Sequence, residues 1–415
     1  MTRPVGPALH VYLALSRAIP LLAPGHLRRR LSRGKELPDR WREKLGMASQ
    51  PRPDGPLIWL HAVGLGETLA LRGLIAALVE AAPEAEFLVT STTRASAEVL
   101  AANLPPRTRH QFLPLDAPRY LSRFLDHWRP DLSVWAEQDL WPGAVVATAA
   151  RGIPLALVNA RMNDAAFARR RHWVGLYRDL FARFALIAAQ DPASASHLRA
   201  LGAGAVRVTP SFKAAAPALT ADPEALALAR QALGDRRAVL LASSHPGDEA
   251  VVLGALTVAQ TRPLLLVAPR DPARGDQIAT QAAALGLTAT RRSLGQGPSA
   301  DIWVVDTFGE MGLWYRLCPL SIIGGSFDPT EGHNPWEAAA LGSAILHGPR
   351  TANFVGDYAL LAGAGAALAV TGDTLPAALV ADHAAMVARA GALVWEAKDS
   401  LAPLARDLIA LGGLG

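Results

Sequence analysis

LIWLHAVGLGETLALRGLIAALV, residues 57–79, decides the fold. Leu57 to Ala62 form a short apolar run of strand type, and Val63 to Gly66 carry two turn glycines. After Glu67, the residues Leu71, Leu74, Ile75, Leu78 and Val79 recur at helical spacing. The order is strand, tight turn, helix. Open α/β sheets bind their ligands at the carboxyl ends of the strands, where Glu67 stands. Two plain readings compete with a catalytic one. Glu67 is a favourable acid for a first helical turn. Gly64-Leu65-Gly66 also begins like a dinucleotide fingerprint, but Leu69 occupies the third glycine position, which argues against such a cofactor.

The same alternation continues outward. Strands are predicted at 57–62, 86–90, 110–113, 132–136, 154–158, 185–189 and 205–208. After an Ala/Pro/Thr-rich stretch they resume at 237–242, 263–268, 302–306, 320–323 and 343–346. Helices are predicted at 247–259, 273–285, 309–317, 335–341, 351–363 and 373–392, with a last apolar-periodic segment from 393 to about 411. Strands alternating with helices imply parallel sheets. The expected class is α/β, with two similar domains and an interdomain cleft as the favoured ligand site. The boundaries are 1–48, 49–210, a linker 211–223, 224–392, and a C-terminal helix 393–415 able to cross back to the first domain.

Charge is unevenly placed along the 415 residues, whose net charge is +5. Residues 1–48 hold ten bases against three acids, so the rest of the chain is slightly acidic. A uniformly basic nucleic-acid binder would not be built so. The run from Leu9 to Ala23 is too short to span a bilayer and is interrupted by Arg17 and Pro20. Arg28, Arg29 and Arg30 follow it. An apolar segment beside a basic cluster suggests an interfacial anchor on an anionic membrane surface, against a helix packed on the protein itself. Pro51, Pro53 and Pro56 read as a tether after it. The single cysteine, Cys318, lies among apolar neighbours and reads as core filler.

Polar residues gather after the strands. Ser243-Ser244-His245-Pro246-Gly247, then 269–274 with Arg270 and Arg274, then 306–312 with Gly309, Glu310, Met311 and Gly312 follow successive strands of the second domain. Gly324-Gly325-Ser326 and Gly332-His333-Asn334-Pro335-Trp336-Glu337 follow the fourth. Arginines, close-approach glycines and helix starts at one sheet edge are the parts of a phosphate site. No Walker motif and no metal cluster occurs, so neither metal nor cofactor is expected. In the first domain Glu137 and Asp139 follow one strand and Arg161 the next, while Lys213 lies in the linker, within reach of the cleft. Arg169 to Phe184 is basic and aromatic, which fits a solvated helix face or contact with a phosphorylated lipid.

HAVGLGE (61–67), EQDLWP (137–142), NARM (159–162), PRDPAR (269–274), DTFGEMG (306–312), GGS (324–326), GHNPWE (332–337) and GPRTANF (348–354) together resemble the Kdo transferases of lipopolysaccharide biosynthesis, Kdo being 3-deoxy-D-manno-oct-2-ulosonic acid. The resemblance covers about residues 40 to 355. It implies GT-B architecture, two Rossmann-like domains facing each other across a cleft with an N-terminal membrane-associated segment. It implies CMP-Kdo as donor, a lipid A precursor as acceptor, and the cytoplasmic face of the inner membrane as location. The first domain would bind acceptor and the second the CMP-sugar. The family's catalytic base falls on Glu67, and its acceptor-side residues on Glu137 and Lys213, joined here by Asp139 and Arg161. Its CMP site falls on Arg270, the Gly309–Gly312 loop, Asn334 and Glu337, joined by Ser243, Ser244, Gly325 and His333. The chain departs from the family pattern at Gly64, Asp139, Gly143, Ser211, Asp271 and Glu331.

The implied chemistry is inverting transfer. Glu67 would take the proton of an acceptor hydroxyl as it attacks the anomeric carbon, and CMP would leave with its phosphate held by the second domain. Two other expectations stand beside it: a membrane-associated GT-B protein of another nucleotide-sugar specificity, and a scaffold that binds nucleotide or lipid without turnover.

Overall fold

Two parallel seven-stranded sheets, each with helices, organise a computed structural model that describes residues 5–101 and 104–414. The first sheet comprises β1 (Leu57–His61), β2 (Glu86–Ser91), β3 (Thr108–Phe112), β4 (Leu132–Ala136), β5 (Leu155–Ala160), β6 (Leu186–Ala189) and β7 (Arg207–Val208). Its spatial order is β3-β2-β1-β4-β5-β6-β7. The second comprises β8 (Ala238–Ser244), β9 (Leu264–Pro269), β10 (Ala289–Arg291), β11 (Ile302–Val304), β12 (Leu320–Ile323), β13 (Ala344–His347) and β14 (Leu368–Ala369). Its order is β10-β11-β9-β8-β12-β13-β14. In each sheet the order reverses once along the row, between β1 and β4 and between β8 and β12. Doubly wound sheets place ligands at such switch points.

Burial explains why the strands read as unbroken apolar runs. All five residues of β1 are buried, as parallel strands covered on both faces must be. Trp59 and Trp135 meet edge-to-face at 5.5 Å, and the Trp59 indole donates to Thr90 Oγ1 at 2.9 Å, so the large rings bury no unpaired N–H. The short strands β10 and β14 escape sequence reading because neither has a buried apolar pattern.

The chain divides into one compact unit of residues 1–217 and 396–415 and a second of 218–395. The expected linker is not a free connector. Phe212 is buried in the first unit and its N–H donates to Asn159 Oδ1 at 3.0 Å. The expected helix at 373–392 is two helices. Leu375–Ala378 stops, and Asp382 Oδ1 accepts the Ala384 N–H to start Ala384–Asp399. The last helix, Leu401–Gly412, packs on Leu65–Ala81; a Cβ on Gly73 would sit 3.3 Å from Leu401 and 2.8 Å from the Ala215 carbonyl, so only glycine fits there.

The N-terminal helices Pro7–Ser16 and Ile19–Ser32 are seated on the first unit. Leu9 is fully buried in its main core, and Ala23 and Leu27 join Trp41, Leu45 and Tyr120 in a smaller cluster. Tyr12 donates to Asp116 at 2.6 Å. Asp116 also accepts the N–H groups of Gly143 and Ala144 at 2.9 and 2.8 Å. A Cβ on Gly143 would sit 2.7 Å from Asp116 Oδ1, which accounts for glycine at that departure from the family pattern. The Pro-rich stretch is no loose tether either, since Arg52 donates to the Trp128 carbonyl at 2.8 Å. No helix among the described residues is long and apolar enough to cross a membrane.

This packing revises the expectation that the body folds without residues 1–30. Deleting them exposes the sites of two buried leucines and leaves Asp116 without its tyrosine. The expected cost is about 3 kcal/mol or more, from about 1.5–3 kcal/mol per buried leucine. Urea denaturation of the truncated chain measures it, and an unchanged midpoint would make the segment a mere appendage.

Candidate active site

At the edge of β1, Glu67 sits in the first turn of the helix Leu65–Ala81. Its Oε2 accepts the N–H groups of Val63 and Gly64, both at 3.1 Å. That is the capping role the spacing allows. The other oxygen, Oε1, has no hydrogen-bond partner among the described residues. One oxygen is anchored, and the other keeps the lone pairs a base needs. The second carboxylate across the switch point is Glu137, directly after β4. It is buried and accepts Asn159 Nδ2 at 2.8 Å.

Glu137 and Asn159 have φ of 67° and 48°, a left-handed backbone that costs a non-glycine residue free energy. Asn159 sits where the β5–β6 register shifts. The Glu137–Asn159–Phe212 chain of hydrogen bonds ties the ends of β4 and β5 to the segment bearing Lys213. Asp139 lies 3.6 Å from Arg170, whose guanidinium also donates to Gln138 Oε1 at 2.9 Å and to the Gln138 carbonyl at 3.2 Å. Arg170 thus turns inward from the basic stretch and holds the acceptor-side loop. Arg161 is half-buried after β5.

His61 was read only as part of its motif. It is fully buried beside Trp135 and Trp141, with Nδ1 on Thr90 and Nε2 unpartnered. Burial lowers it to about 3, so it is neutral. His110 is also lowered to about 3, by burial and by Arg40, which donates to its Nδ1 at 2.9 Å. Both pKa values lie below the ordinary 6.5, so the unfolded chain binds more protons as pH falls below 6.5. Stability is therefore full above pH 6.5 and is lost on acidification, at up to about 1.4 kcal/mol per pH unit for each histidine. Burial raises Asp116, Asp248 and Glu337, which act in the opposite sense once carboxylates titrate, so the histidine effect is cleanest between pH 6.5 and about 5. Urea midpoints measured from pH 7.5 to 5 should fall. A flat profile would contradict two neutral buried histidines.

In the second unit, Asp248 staples the switch-point loops. It is fully buried and accepts N–H groups from His245 at 2.9 Å, Gly325 at 2.6 Å and Phe327 at 2.9 Å. The Gly325 N–H is therefore engaged within the protein, which corrects its reading as a direct phosphate donor. Gly312 is likewise a packing glycine, since a Cβ there would collide with the carbonyl oxygens of Leu219 and Thr220. The Glu310 carboxylate is held by Arg292 at 2.6 and 2.5 Å and by Thr307. Burial pushes Glu310 up, yet Arg292 and Thr307 outweigh it and hold the group below its ordinary value. What that loop leaves open is Gly309, exposed at φ 84°, with Met311 half-buried beside it.

The two arginines of 269–274 part company. Arg274 pairs at 2.5 Å with Glu249, which also accepts Ser244 Oγ at 2.9 Å. Arg270 is exposed, and its guanidinium makes no hydrogen bond or ion pair among the described residues. It still lies close enough to lower His333 and Glu337. His333 stacks on His245, with their Nε2 atoms 2.9 Å apart. Burial first, then His245 and Arg270, bring His333 to about 4. Asn334 donates to Glu337, whose carboxyl burial nevertheless raises. Ser243 takes a left-handed φ of 54° directly after β8. Arg270, His333, Asn334 and Glu337 thus converge at one edge. His245 and Asp248, absent from the sequence-derived set, hold them there. Among the described residues no group of three metal-ligating side chains occurs.

Residues 39–216 match the family model described as 3-deoxy-D-manno-octulosonic-acid transferase (kdotransferase). The chain is 34% identical to a probable mitochondrial 3-deoxy-D-manno-octulosonic acid transferase of Arabidopsis thaliana, over 83% of this chain and 80% of that one. It is 36% identical to the 3-deoxy-D-manno-octulosonic acid transferase of Bordetella pertussis, over 77% and 78% of the respective chains. Among solved structures it resembles the UDP-GlcNAc 2-epimerase of Neisseria meningitidis, with TM-score 0.57 and 13% identity over 86% of this chain and 99% of the other. It resembles MurG of Acinetobacter baumannii with TM-score 0.52 and 13% identity over 86% and 99%. At such identities these two likenesses speak to the fold alone, and they agree with the expected two-domain α/β class.

Proposed function

Because the chain belongs to the 3-deoxy-D-manno-octulosonic acid transferases, we propose that it moves Kdo from CMP-Kdo to a lipid A precursor, with inversion, using Glu67 as base. The observation that carries the assignment of the base is the divided role of the Glu67 carboxylate. Its Oε2 is fixed by two backbone N–H groups and its Oε1 is open. In this reading Oε1 takes the acceptor hydroxyl proton as the oxygen bonds to the anomeric carbon. The bond from that carbon to the CMP phosphate oxygen breaks, and CMP leaves as the anion. Glu137, Asn159 and Lys213 belong to the acceptor side, with Asp139 and Arg161. Arg270, His333, Asn334 and Glu337 belong to the donor side. The sugar's carboxylate and the leaving phosphate are both anionic, which suits the unpaired Arg270. We place the enzyme at the cytoplasmic face of the inner membrane, where such a lipid acceptor is met.

Arg270→Ala is expected to weaken CMP binding about 10- to 100-fold, because a hydrogen bond to a charged group contributes about 1.5–3 kcal/mol. Arg274→Ala should instead lower stability, as it strands Glu249. Calorimetric titration with CMP and with UDP tests both the residue and the nucleotide. Equal affinity for UDP would favour another nucleotide-sugar specificity, and unchanged CMP affinity in Arg270→Ala would move the phosphate elsewhere.

A further inference from the structure

We propose that a basic hollow on the helix Ile19–Ser32 is a binding site for the phosphate of an anionic phospholipid headgroup. The hollow encloses about 240 Å³ and is lined by His26, Arg29, Arg30, Arg33 and Lys35. The acid nearest in the chain is already spent: buried Glu36 pairs with Arg30 at 2.5 Å and with Lys44 at 2.6 Å. Arg29, Arg33 and Lys35 are exposed and make no ion pair among the described residues. The hollow therefore presents cations without a counter-anion.

Helical spacing joins these cations to an apolar end. Leu22, His26, Arg29 and Arg33 follow i, i+4, i+7, i+11, which is one stripe of the helix. The stripe runs about 16 Å from leucine to arginine at about 1.5 Å per residue. Leu21 and Leu22 are 82% and 78% exposed, and Val11 and Leu15 of the preceding helix are exposed too. The opposite face, with Ala23 and Leu27, is buried, so the helix is fixed with this stripe outward. Favourable placement of cations at a helix C-terminus accounts for the arginines but not for the bare leucines. An apolar end beside a cationic end matches the acyl boundary and the phosphate layer of one bilayer leaflet. The inference deepens the proposed membrane location and is independent of the sugar chemistry.

The test is partition of the full-length protein onto vesicles that contain no acceptor lipid. Vesicles of phosphatidylglycerol with phosphatidylcholine are compared with phosphatidylcholine alone, with inorganic phosphate as a soluble competitor. Each cation near an anionic surface is expected to contribute about fivefold in partition, so Arg29→Ala with Arg33→Ala should reduce binding to the anionic vesicles about thirtyfold. Leu21→Ser with Leu22→Ser should reduce binding to both vesicle types. Arg169→Ala with Arg171→Ala, in the other basic stretch, should change it less than twofold. All six side chains are exposed, and thermal melting verifies that each variant folds. Unchanged binding in the Arg29/Arg33 variant would overturn the site, as would an equal loss in the Arg169/Arg171 variant. Phosphate binding without preference for anionic vesicles would reassign the hollow to a free anion and overturn the lipid. Kdo transfer to detergent-dispersed acceptor should be the same in wild type and the Arg29/Arg33 variant. Absence of transfer in both, with vesicle binding as described, would refute the proposed chemistry and leave this site standing.

Discussion

Glu67→Gln is expected to lower kcat by about 10²-fold or more while leaving the fold intact. Glutamine keeps the length of the side chain and a carbonyl oxygen. That oxygen can still accept the Val63 and Gly64 N–H groups now bound to Oε2 at 3.1 Å. What it loses is basicity at the open position. The thermal midpoint should therefore stay close to wild type while turnover falls. Nucleotide affinity should also hold, because Glu67 lies in the first unit and the donor residues in the second. Comparable loss of turnover and of stability would make Glu67 a cap and nothing more. Wild-type turnover would remove it from the mechanism.

Asp248→Ala is expected to cost about 3 kcal/mol or more, because three N–H groups lose their acceptor at once and each buried, unsatisfied group costs about 1–3 kcal/mol. The affected donors are His245, Gly325 and Phe327. They belong to the loops after β8 and β12, so CMP affinity should fall together with stability even though Asp248 is buried. Urea denaturation and CMP titration of the variant read the two effects. A loss below about 1 kcal/mol would mean that the loops hold their shape without the carboxylate.

The parallel sheets were legible because their strands are buried on both faces and leave long apolar runs. The edge strands β10 and β14 were not, since they bury no such run. Glu67, Glu137 and Arg270 could be placed at strand ends by counting along the chain. Counting could not distinguish Arg270 from Arg274, because only the fold reveals that Glu249 takes the second. Nor could it tell a ligand-facing glycine from a packing one. Gly312 faces a neighbouring carbonyl and Gly325 gives its N–H to Asp248. Residues 9–30 were ambiguous for a similar reason. Leu9 and Leu27 point into the protein while Leu15, Leu21 and Leu22 point out, and only tertiary packing separates the two sets.

The central claim is Kdo transfer from a CMP donor, and mass analysis of the acceptor tests it most directly. Purified protein is incubated with CMP-Kdo and a lipid A precursor, and the lipid product and released nucleotide are measured together. The account predicts a lipid heavier by one or more Kdo residues, one CMP released per residue added, and loss of both signals in Glu67→Gln. CMP released without a Kdo-bearing lipid, or product formed equally well by Glu67→Gln, would contradict it.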